Sequence, residues 1–263
     1  MIWDECLKAA VDASMNAGRM LRTSIGRSRQ ISYKGAVDLV TDCDKRSQHM
    51  ISESLSSLFP EHDFLAEEDL CEDKGSEFRW IVDPIDGTTN YAHNFPVFCI
   101  SIALEWKGKM VLGVVYDPMR EELFSAVTGK GARLNKKSIC VSTVNDLDKS
   151  LLATGFPYDL RESRENNLNH FSNFAVRAQA VRRCGSAALD LCYVACGRFD
   201  GFWELKLSPW DMAAGALIVR EAGGRVTDFA DAGFDLFGPE ILATNRLIHM
   251  QMIAVLGRSN VRK

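Results

Sequence analysis

The 263-residue sequence contains no hydrophobic run long enough to cross a membrane. Its longest apolar stretches, at positions 97–105 and 110–116, fall well short of the roughly 20 residues that a membrane helix needs. Asp4 and Glu5 lie near the N-terminus, where no basic flank precedes an apolar run, and this argues against a secretory signal. We therefore expect a cytoplasmic protein without a membrane span.

The sequence also lacks the spaced cysteine and histidine pairs of zinc sites. Eight cysteines occur without a C-x-x-C pair, and five histidines form neither H-x-x-H nor H-E-x-x-H. We expect reduced, mostly buried thiols and neither zinc nor disulfides.

The sequence has no excess of positive charge. Its 31 Lys and Arg residues are outnumbered by 35 Asp and Glu residues, which gives a net charge of −4. We therefore expect no direct nucleic-acid partner. Gly129 and Gly131 begin a G-x-G, but Leu134 takes the place of the third glycine, so a dinucleotide fingerprint is rejected.

No repeat, low-complexity segment or Pro/Gly/Ser linker divides the chain, which predicts one compact unit over residues 1–263. Apolar spacing predicts helices from residue 2 to about 26 and over 44–58, and short β-rich runs follow. The second half alternates strands with helices expected over 165–178, 186–196, 210–222 and from Arg246. The segment GKGARLNKK is expected to be a tight turn. These patterns predict an α+β protein in which helices cover sheets.

The segment from Trp80 to Pro96, WIVDPIDGTTNYAHNFP, carries the densest chemical signal. An apolar strand is expected to end at Asp83, because Pro84 interrupts a ladder, and Gly87 permits a sharp turn. Asp83 and Asp86 would then project from one junction, and buried carboxylates so close together favour a bound cation. Oxygen ligands alone favour a hard ion such as Mg²⁺. The competing interpretation makes both aspartates turn formers only.

Two further acidic segments lie at predicted element ends, Glu67 and Glu68 in FLAEED and Asp211 in LSPWDMAAG. Loops at element ends build sites, although Asp211 could equally serve only as an N-terminal helix carboxylate.

The motifs DPIDGTTN and PWDMAAGALIVREAGG resemble the inositol monophosphatase family of metal-dependent, lithium-sensitive sugar phosphatases. The similarity runs from DLVTDCDK near residue 40 to the C-terminal EAGG and ATN segments. It implies a layered αβαβα fold of mixed and antiparallel sheets. An N-terminal half of about 1–145 would carry most metal ligands, and a C-terminal half of about 146–263 would carry the substrate loop.

The resemblance implies two or three Mg²⁺ ions in each active site. Glu67, Asp83 and the carbonyl of Ile85 match the first metal site, while Asp83, Asp86 and Asp211 match the second. A third, weaker ion would use Glu67 and water.

The catalytic residues implied by the resemblance are Thr88, Asp44 and Glu67. Thr88 would orient the attacking water, with Asp44 as its acidic partner, and the N–H groups of Gly87 and Thr88 would hold the phosphate. The expected reaction is the hydrolysis of inositol 1-phosphate or a related polyol phosphate.

The alcohol half of the substrate would contact Asp86, Gly185, Ser186, Ala187 and Glu204. Ser186 is also expected to cap a helix, and the competing interpretation makes Glu204 an exposed strand residue. Since Arg182 and Arg183 are adjacent in a predicted strand, at most one of them can face the site.

Relatives with the same metal framework hydrolyse fructose 1,6-bisphosphate, histidinol phosphate, NADP or adenosine 3′,5′-bisphosphate, and these substrates remain alternatives. A regulatory protein-interaction role associated with the transcription machinery is an alternative of another class. A homodimer is expected, with exposed apolar residues around Phe95–Phe98 as a candidate interface.

Overall fold

The computed structural model describes residues 2–26, 31–33, 39–68 and 71–258. The helices in these ranges are α1 (Ile2–Ser24), α2 (Asp42–Leu58), α3 (Thr88–Ala92), α4 (Leu168–Ala175), α5 (Ala187–Ala195), α6 (Pro209–Glu221) and α7 (His249–Leu256), with a 3-10 helix at Leu147–Lys149. None of these helices combines the length and the apolar character that a membrane crossing requires.

The larger sheet has eight strands in the order β10-β9-β8-β7-β6-β5-β3-β4, and its neighbours are antiparallel except for β3 and β5. Its strands are β3 (Asp63–Ala66), β4 (Cys71–Glu72), β5 (Phe78–Asp86), β6 (Cys99–Trp106), β7 (Lys109–Asp117), β8 (Glu122–Val127), β9 (Ala132–Leu134) and β10 (Lys137–Ser138). A separate antiparallel pair precedes it, formed by β1 (Ile31–Tyr33) and β2 (Leu39–Thr41).

The smaller sheet has five strands in the order β12-β11-β13-β15-β14, and β11 is parallel to both of its neighbours. Its strands are β11 (Leu151–Thr154), β12 (Ala180–Arg182), β13 (Gly201–Leu205), β14 (Arg225–Thr227) and β15 (Glu240–Thr244).

Alternation along the strands places the helices in three layers. On β5, Trp80 and Val82 pack with α1 and α2, whereas Ile81 packs on the other side with α5 and α6. Helices α5 and α6 also cover one face of the smaller sheet. Its other face packs against α4 and α7 through residues such as Trp203. The order of layers is therefore αβαβα, and the predicted fold class is confirmed.

Close packing in the middle layer depends on Gly113 of β7. A Cβ atom at this position would lie 2.8 Å from the carbonyl oxygen of Ala214 in α6. The missing side chain lets α6 approach the larger sheet closely at this point.

Several expected boundaries are wrong. The helix expected over 165–178 covers only Leu168–Ala175, and the last helix begins at His249. The GKGARLNKK segment is not simply a turn, because it contains β9 and the start of β10, which form a hairpin through Asn135 and Lys136 at φ 47° and 70°.

The first α2 residue is Asp42 and not Asp44, because Thr41 caps the helix in a capping box with Asp44. The eight cysteines are free, as expected, although only four are buried. Phe95 is exposed, but Phe98 is fully buried, so the expected apolar surface around 95–98 reduces mainly to Phe95.

Candidate active site

A cavity of about 300 Å³ lies where the end of β5, the loop before α5, the end of β13 and the start of α6 meet. Every catalytic, metal-binding or substrate-binding residue expected from the sequence except Asp44 lines this cavity. Asp44 accepts a hydrogen bond from Thr88, which does line it. The residues that line the cavity include Glu67, Asp83, Ile85, Asp86, Gly87, Thr88, Gly155, Arg183, Gly185, Ser186, Ala187, Asp190, Glu204 and Asp211.

Asp83, Asp86 and Asp211 form an acidic cluster in which one carboxylate oxygen of each residue lies within 4.8 Å of the others. Burial raises the pKa of Asp83 well above its ordinary value, and the negative charges of Glu67, Asp86 and Asp211 raise it further. The pKa of Asp86 is also raised by burial, against hydrogen bonds that lower it. Like charges are thus held together in a place where water screens them poorly.

The residues present fit a divalent metal. The acidic cluster offers only oxygen donors, and the described residues contain no other such group of three or more metal-binding side chains. Glu67 and Ile85 line the same cavity. Hard cations such as Mg²⁺ prefer this donor set.

An irregularity in β5 turns Asp83 and Asp86 to the same side. The ladder with β6 pairs Asp83 with Ser101 and resumes at Asp86 with Cys99, so β5 holds one extra residue. The strand therefore continues to Asp86, and the expected end at Asp83 is wrong. Pro84 fits this bulge because it has no N–H to donate to a ladder.

Residues of the second half hold the Asp86 carboxylate in place. Its Oδ2 atom accepts from the Ser186 hydroxyl and from the Ala188 N–H, both at 2.7 Å, and lies 3.7 Å from the Cys99 thiol. Ser186 occupies the N-cap position of α5 but makes no side-chain cap hydrogen bond. The expected capping role of Ser186 is wrong, because its hydroxyl donates to Asp86.

A chain of hydrogen bonds links Thr88 to the start of α2. The Thr88 hydroxyl lies 2.8 Å from Asp44 Oδ1 and 2.9 Å from the Ile85 carbonyl oxygen. The second oxygen of Asp44 accepts from the N–H and the hydroxyl of Thr41, at 2.8 and 2.6 Å. Asp44 is fully buried, and this burial raises its pKa in spite of the hydrogen bonds.

Gly87 begins the short turn that follows the acidic cluster. Its φ of 102° suits glycine, and a Cβ atom there would lie 3.0 Å from the Val97 carbonyl oxygen. Asn90, to which the sequence assigned no role in the site, joins this turn to the loop before α5. Its Nδ2 atom donates to the carbonyl oxygens of Val97 and Cys184, both at 2.8 Å.

Asp211 both caps the N-terminus of α6 and lines the cavity. It lies in the first turn of α6, where its Oδ2 atom accepts from the Ser208 N–H at 2.8 Å in a capping box. The helix-capping interpretation of Asp211 is therefore right, and the same residue also belongs to the acidic cluster.

Glu204 is a buried residue of β13 and not an exposed one. Its carboxylate occupies the space that a side chain at residue 155 would take, since a Cβ atom on Gly155 would lie 2.0 Å from Glu204 Oε1. Burial raises its pKa well above the ordinary value, and the charges of Asp190 and Asp211 add to this effect.

Arg183 lines the cavity and Arg182 does not, in agreement with the expectation that at most one of them faces the site.

The αβαβα layers thus hold an acidic cluster beside a hydroxyl–carboxylate pair. Residues 2–260 match the model of the inositol monophosphatase family, so the chain belongs to that family. The resemblance of the two sequence motifs to this family is thereby confirmed.

The relatives span nearly the same length as this chain. It is 47% identical to an inositol-1-monophosphatase of Synechocystis sp., over 95% of this chain and 88% of the relative. It is 46% identical to Nus factor SuhB of Vibrio cholerae, over 85% of both chains. The solved inositol monophosphatase of Anabaena superimposes with a TM-score of 0.90 at 42% identity, over 97% of this chain and 96% of the other.

Proposed function

We propose that this chain is a magnesium-dependent phosphomonoesterase that hydrolyses inositol 1-phosphate or a related polyol phosphate. The observation that carries the proposal is the position of the acidic cluster beside the Thr88–Asp44 pair, in a cavity that Glu204 also lines. Hydrolysis breaks the P–O ester bond as water adds to phosphorus, and the alcohol and inorganic phosphate are the products.

Glu67, Asp83 and the Ile85 carbonyl would hold the first Mg²⁺, Asp83, Asp86 and Asp211 the second, and Glu67 a third, weaker ion. When bound, the ions lower the pKa of the attacking water and stabilise negative charge on the leaving oxygen. The burial and mutual repulsion of these carboxylates support the assignment, since a divalent cation removes both penalties.

The count of hydrogen-bond donors and acceptors around Thr88 supports a water-orienting role for its hydroxyl. Its single hydroxyl proton has two acceptors, Asp44 Oδ1 and the Ile85 carbonyl oxygen. Whichever of these atoms receives the proton, the hydroxyl oxygen keeps lone pairs that accept a hydrogen bond from the attacking water. Thr88 and Asp44 thus orient the water, and Glu67 faces the same space.

The remaining contacts divide between the two halves of the substrate. Backbone N–H groups of Gly87 and Thr88 hold the phosphate, beside the metal ligands. Gly185, Ser186, Ala187 and Glu204, with Asp86, face the alcohol half. A second substrate phosphate near the Glu204 carboxylate would be repelled, which disfavours bisphosphates.

The test is phosphate release from a panel of substrates with Mg²⁺ and with EDTA. Inositol 1-phosphate should have the highest kcat/KM, ahead of histidinol phosphate, NADP, fructose 1,6-bisphosphate and adenosine 3′,5′-bisphosphate, and EDTA should abolish release. Preference for histidinol phosphate or a bisphosphate would refute the substrate assignment and leave the metal chemistry intact. Li⁺ should inhibit, uncompetitively with substrate.

A regulatory protein-interaction role is the second candidate. It is favoured by relatives that carry the name Nus factor SuhB, at 46% identity in Vibrio cholerae and 41% in Escherichia coli K12. The same panel separates the two candidates, because failure to release phosphate from any substrate with Mg²⁺ would favour the interaction role.

We also propose a single domain of residues 1–263 that forms a homodimer in the cytoplasm. Phe95, which is 51% exposed, is a candidate interface residue. Light scattering on the wild type and on Phe95→Ser tests the dimer, since an unchanged molar mass in the variant would exclude this interface.

A further inference from the structure

One face of α2 carries three buried polar residues that bond to different parts of the site. Asp44, Ser47 and Gln48 are spaced i, i+3 and i+4, so they lie side by side on the surface of the helix. All three are buried. Asp44 accepts from Thr88, whereas the proposed reaction gives no role to Ser47 or Gln48. The hydrogen-bond partners of these two residues indicate what they do.

Ser47 bonds to the bulge of β5. The ladder with β6 skips Pro84 and Ile85, which lie between the paired residues Asp83 and Asp86. The carbonyl oxygen of Pro84 accepts instead from the Ser47 hydroxyl, at 2.9 Å. Ser47 thus ties α2 to the segment that turns the two aspartates to one side.

Gln48 holds the chain beside Glu67 in the manner of a neighbouring strand. Its Nε2 atom donates to the Glu68 carbonyl oxygen at 2.7 Å, and its Oε1 atom accepts from the Glu68 N–H at 2.9 Å. One amide side chain therefore bonds both backbone groups of the residue after Glu67. Because β3 ends at Ala66, Gln48 fixes the bend from which Glu67 reaches the cavity.

Both contacts bear on how strongly the site can bind a cation. The proposed metal ligands repel one another, since burial and the charges of its acidic neighbours raise the pKa of Asp83. This repulsion favours moving the ligands apart, and hydrogen bonds from a helix oppose the movement. Ligands that are already in place bind more tightly, because binding does not have to order them. Support of this kind typically changes metal affinity by roughly 10–100-fold.

We infer that Ser47 and Gln48 are positioning residues that raise the affinity of the site for Mg²⁺, Ser47 through the β5 bulge and Gln48 through the backbone beside Glu67. The inference rests on the proposed function, whose metal ligands these residues would hold in place. Neither side chain lines the cavity, so neither would touch the substrate. Their loss should therefore change the Mg²⁺ requirement more than the turnover at saturating Mg²⁺.

The test is calorimetric titration of the metal-free protein with MgCl₂, which reports binding whether or not a substrate is hydrolysed. Gln48→Met keeps an unbranched side chain of similar length and removes both hydrogen bonds to Glu68. The Mg²⁺ dissociation constant should rise about tenfold. The Mg²⁺ concentration for half-maximal release of phosphate from inositol 1-phosphate should rise with it, while kcat at saturating Mg²⁺ should fall much less.

Gln251→Met is the matched control. Gln251 of α7 bonds to the backbone in the same way, through the Leu147 N–H at 3.0 Å and the Asn145 carbonyl oxygen at 2.9 Å, and it does not line the cavity. This variant should leave the Mg²⁺ affinity unchanged. If Gln48→Met lowers Tm in EDTA but binds Mg²⁺ as tightly as the wild type, Gln48 has a merely structural role and the inference is overturned.

Ser47→Ala covers the case in which Gln48→Met does not fold, because it removes only one hydroxyl from the same face. It should raise the Mg²⁺ dissociation constant about fivefold, as expected for one hydrogen bond between neutral groups, and an unchanged constant would overturn the inference. If the wild type binds no Mg²⁺, the proposed function and the inference fail together. If the variants bind Mg²⁺ more weakly but the wild type releases phosphate from no substrate, the inference stands and only the proposed function fails.

Discussion

Replacing Asp83 by Asn should stabilise the metal-free protein while it removes activity. Asp83 lies within 4.8 Å of both other members of the acidic cluster. At that distance and an effective dielectric constant of about 20, each pair of full charges repels by about 3.5 kcal/mol. The real gain is smaller, because a crowded carboxyl takes up a proton at a cost of about 1.4 kcal/mol per pH unit above its pKa.

We therefore expect Asp83→Asn to raise the free energy of unfolding in EDTA by about 3 kcal/mol, which corresponds to roughly 6–12 °C in Tm. The asparagine oxygen still accepts from the Ile85 N–H, which now bonds Asp83 Oδ1 at 2.9 Å. Mg²⁺ should raise the Tm of the wild type by mass action and that of the variant much less. Release of phosphate from inositol 1-phosphate should fall by about 10²-fold or more.

Thermal unfolding followed by circular dichroism, in EDTA and in millimolar MgCl₂, measures these shifts. Asp63→Asn is the control, because Asp63 Oδ1 accepts from the backbone N–H groups of Lys74 and Ser76, at 2.7 and 3.4 Å. This variant should lose about 1 kcal/mol under both conditions. A variant at Asp83 that is no more stable than the wild type in EDTA, and that responds equally to Mg²⁺, would refute the reasoning.

Three further predictions follow from the same site. The carboxyls of Asp83 and Asp86 have raised pKa values in the folded state. Above a pH of about 4, the metal-free folded protein therefore binds more protons than the unfolded chain, and its stability falls as the pH rises. The Tm in EDTA should therefore be higher at pH 5.5 than at pH 8, and the opposite order would contradict the charge repulsion. Thr88→Ala and Asp44→Asn should each lower kcat more than they change KM, and the double variant should lose little more than the worse single one, whereas multiplied losses would show two independent roles. Gly155→Ala should displace the Glu204 carboxylate and lower kcat/KM for inositol 1-phosphate more than for phenyl phosphate, while an unchanged ratio of the two would exclude the contact.

Much of the fold could be predicted because apolar spacing within a helix or strand is a local property. The predicted helices near 44–58 and 210–222 lie within about two residues of α2 and α6. The exact path of β5 could not be predicted, since Pro84 resembles a strand end and only the pairing with β6 shows a bulge.

The candidate site was predictable to the extent that its residues lie in dense motifs. The partner of Ser186 was not, because Asp86 lies 100 residues away in the chain. Asn90 ends the DPIDGTTN motif, but its hydrogen bond to the Cys184 carbonyl oxygen could not be predicted, because Cys184 lies 94 residues away in the chain.

The extra residue in β5 decides which face of the sheet Asp83 and Asp86 occupy. Ile85 packs in the core beside α1 and α2, and Asp86 faces the opposite side of the sheet. In a regular strand, residues three positions apart lie on opposite faces, so without the bulge one of the two carboxylates would point toward that apolar core. The bulge is therefore what allows two aspartates at this odd spacing to face the same cavity.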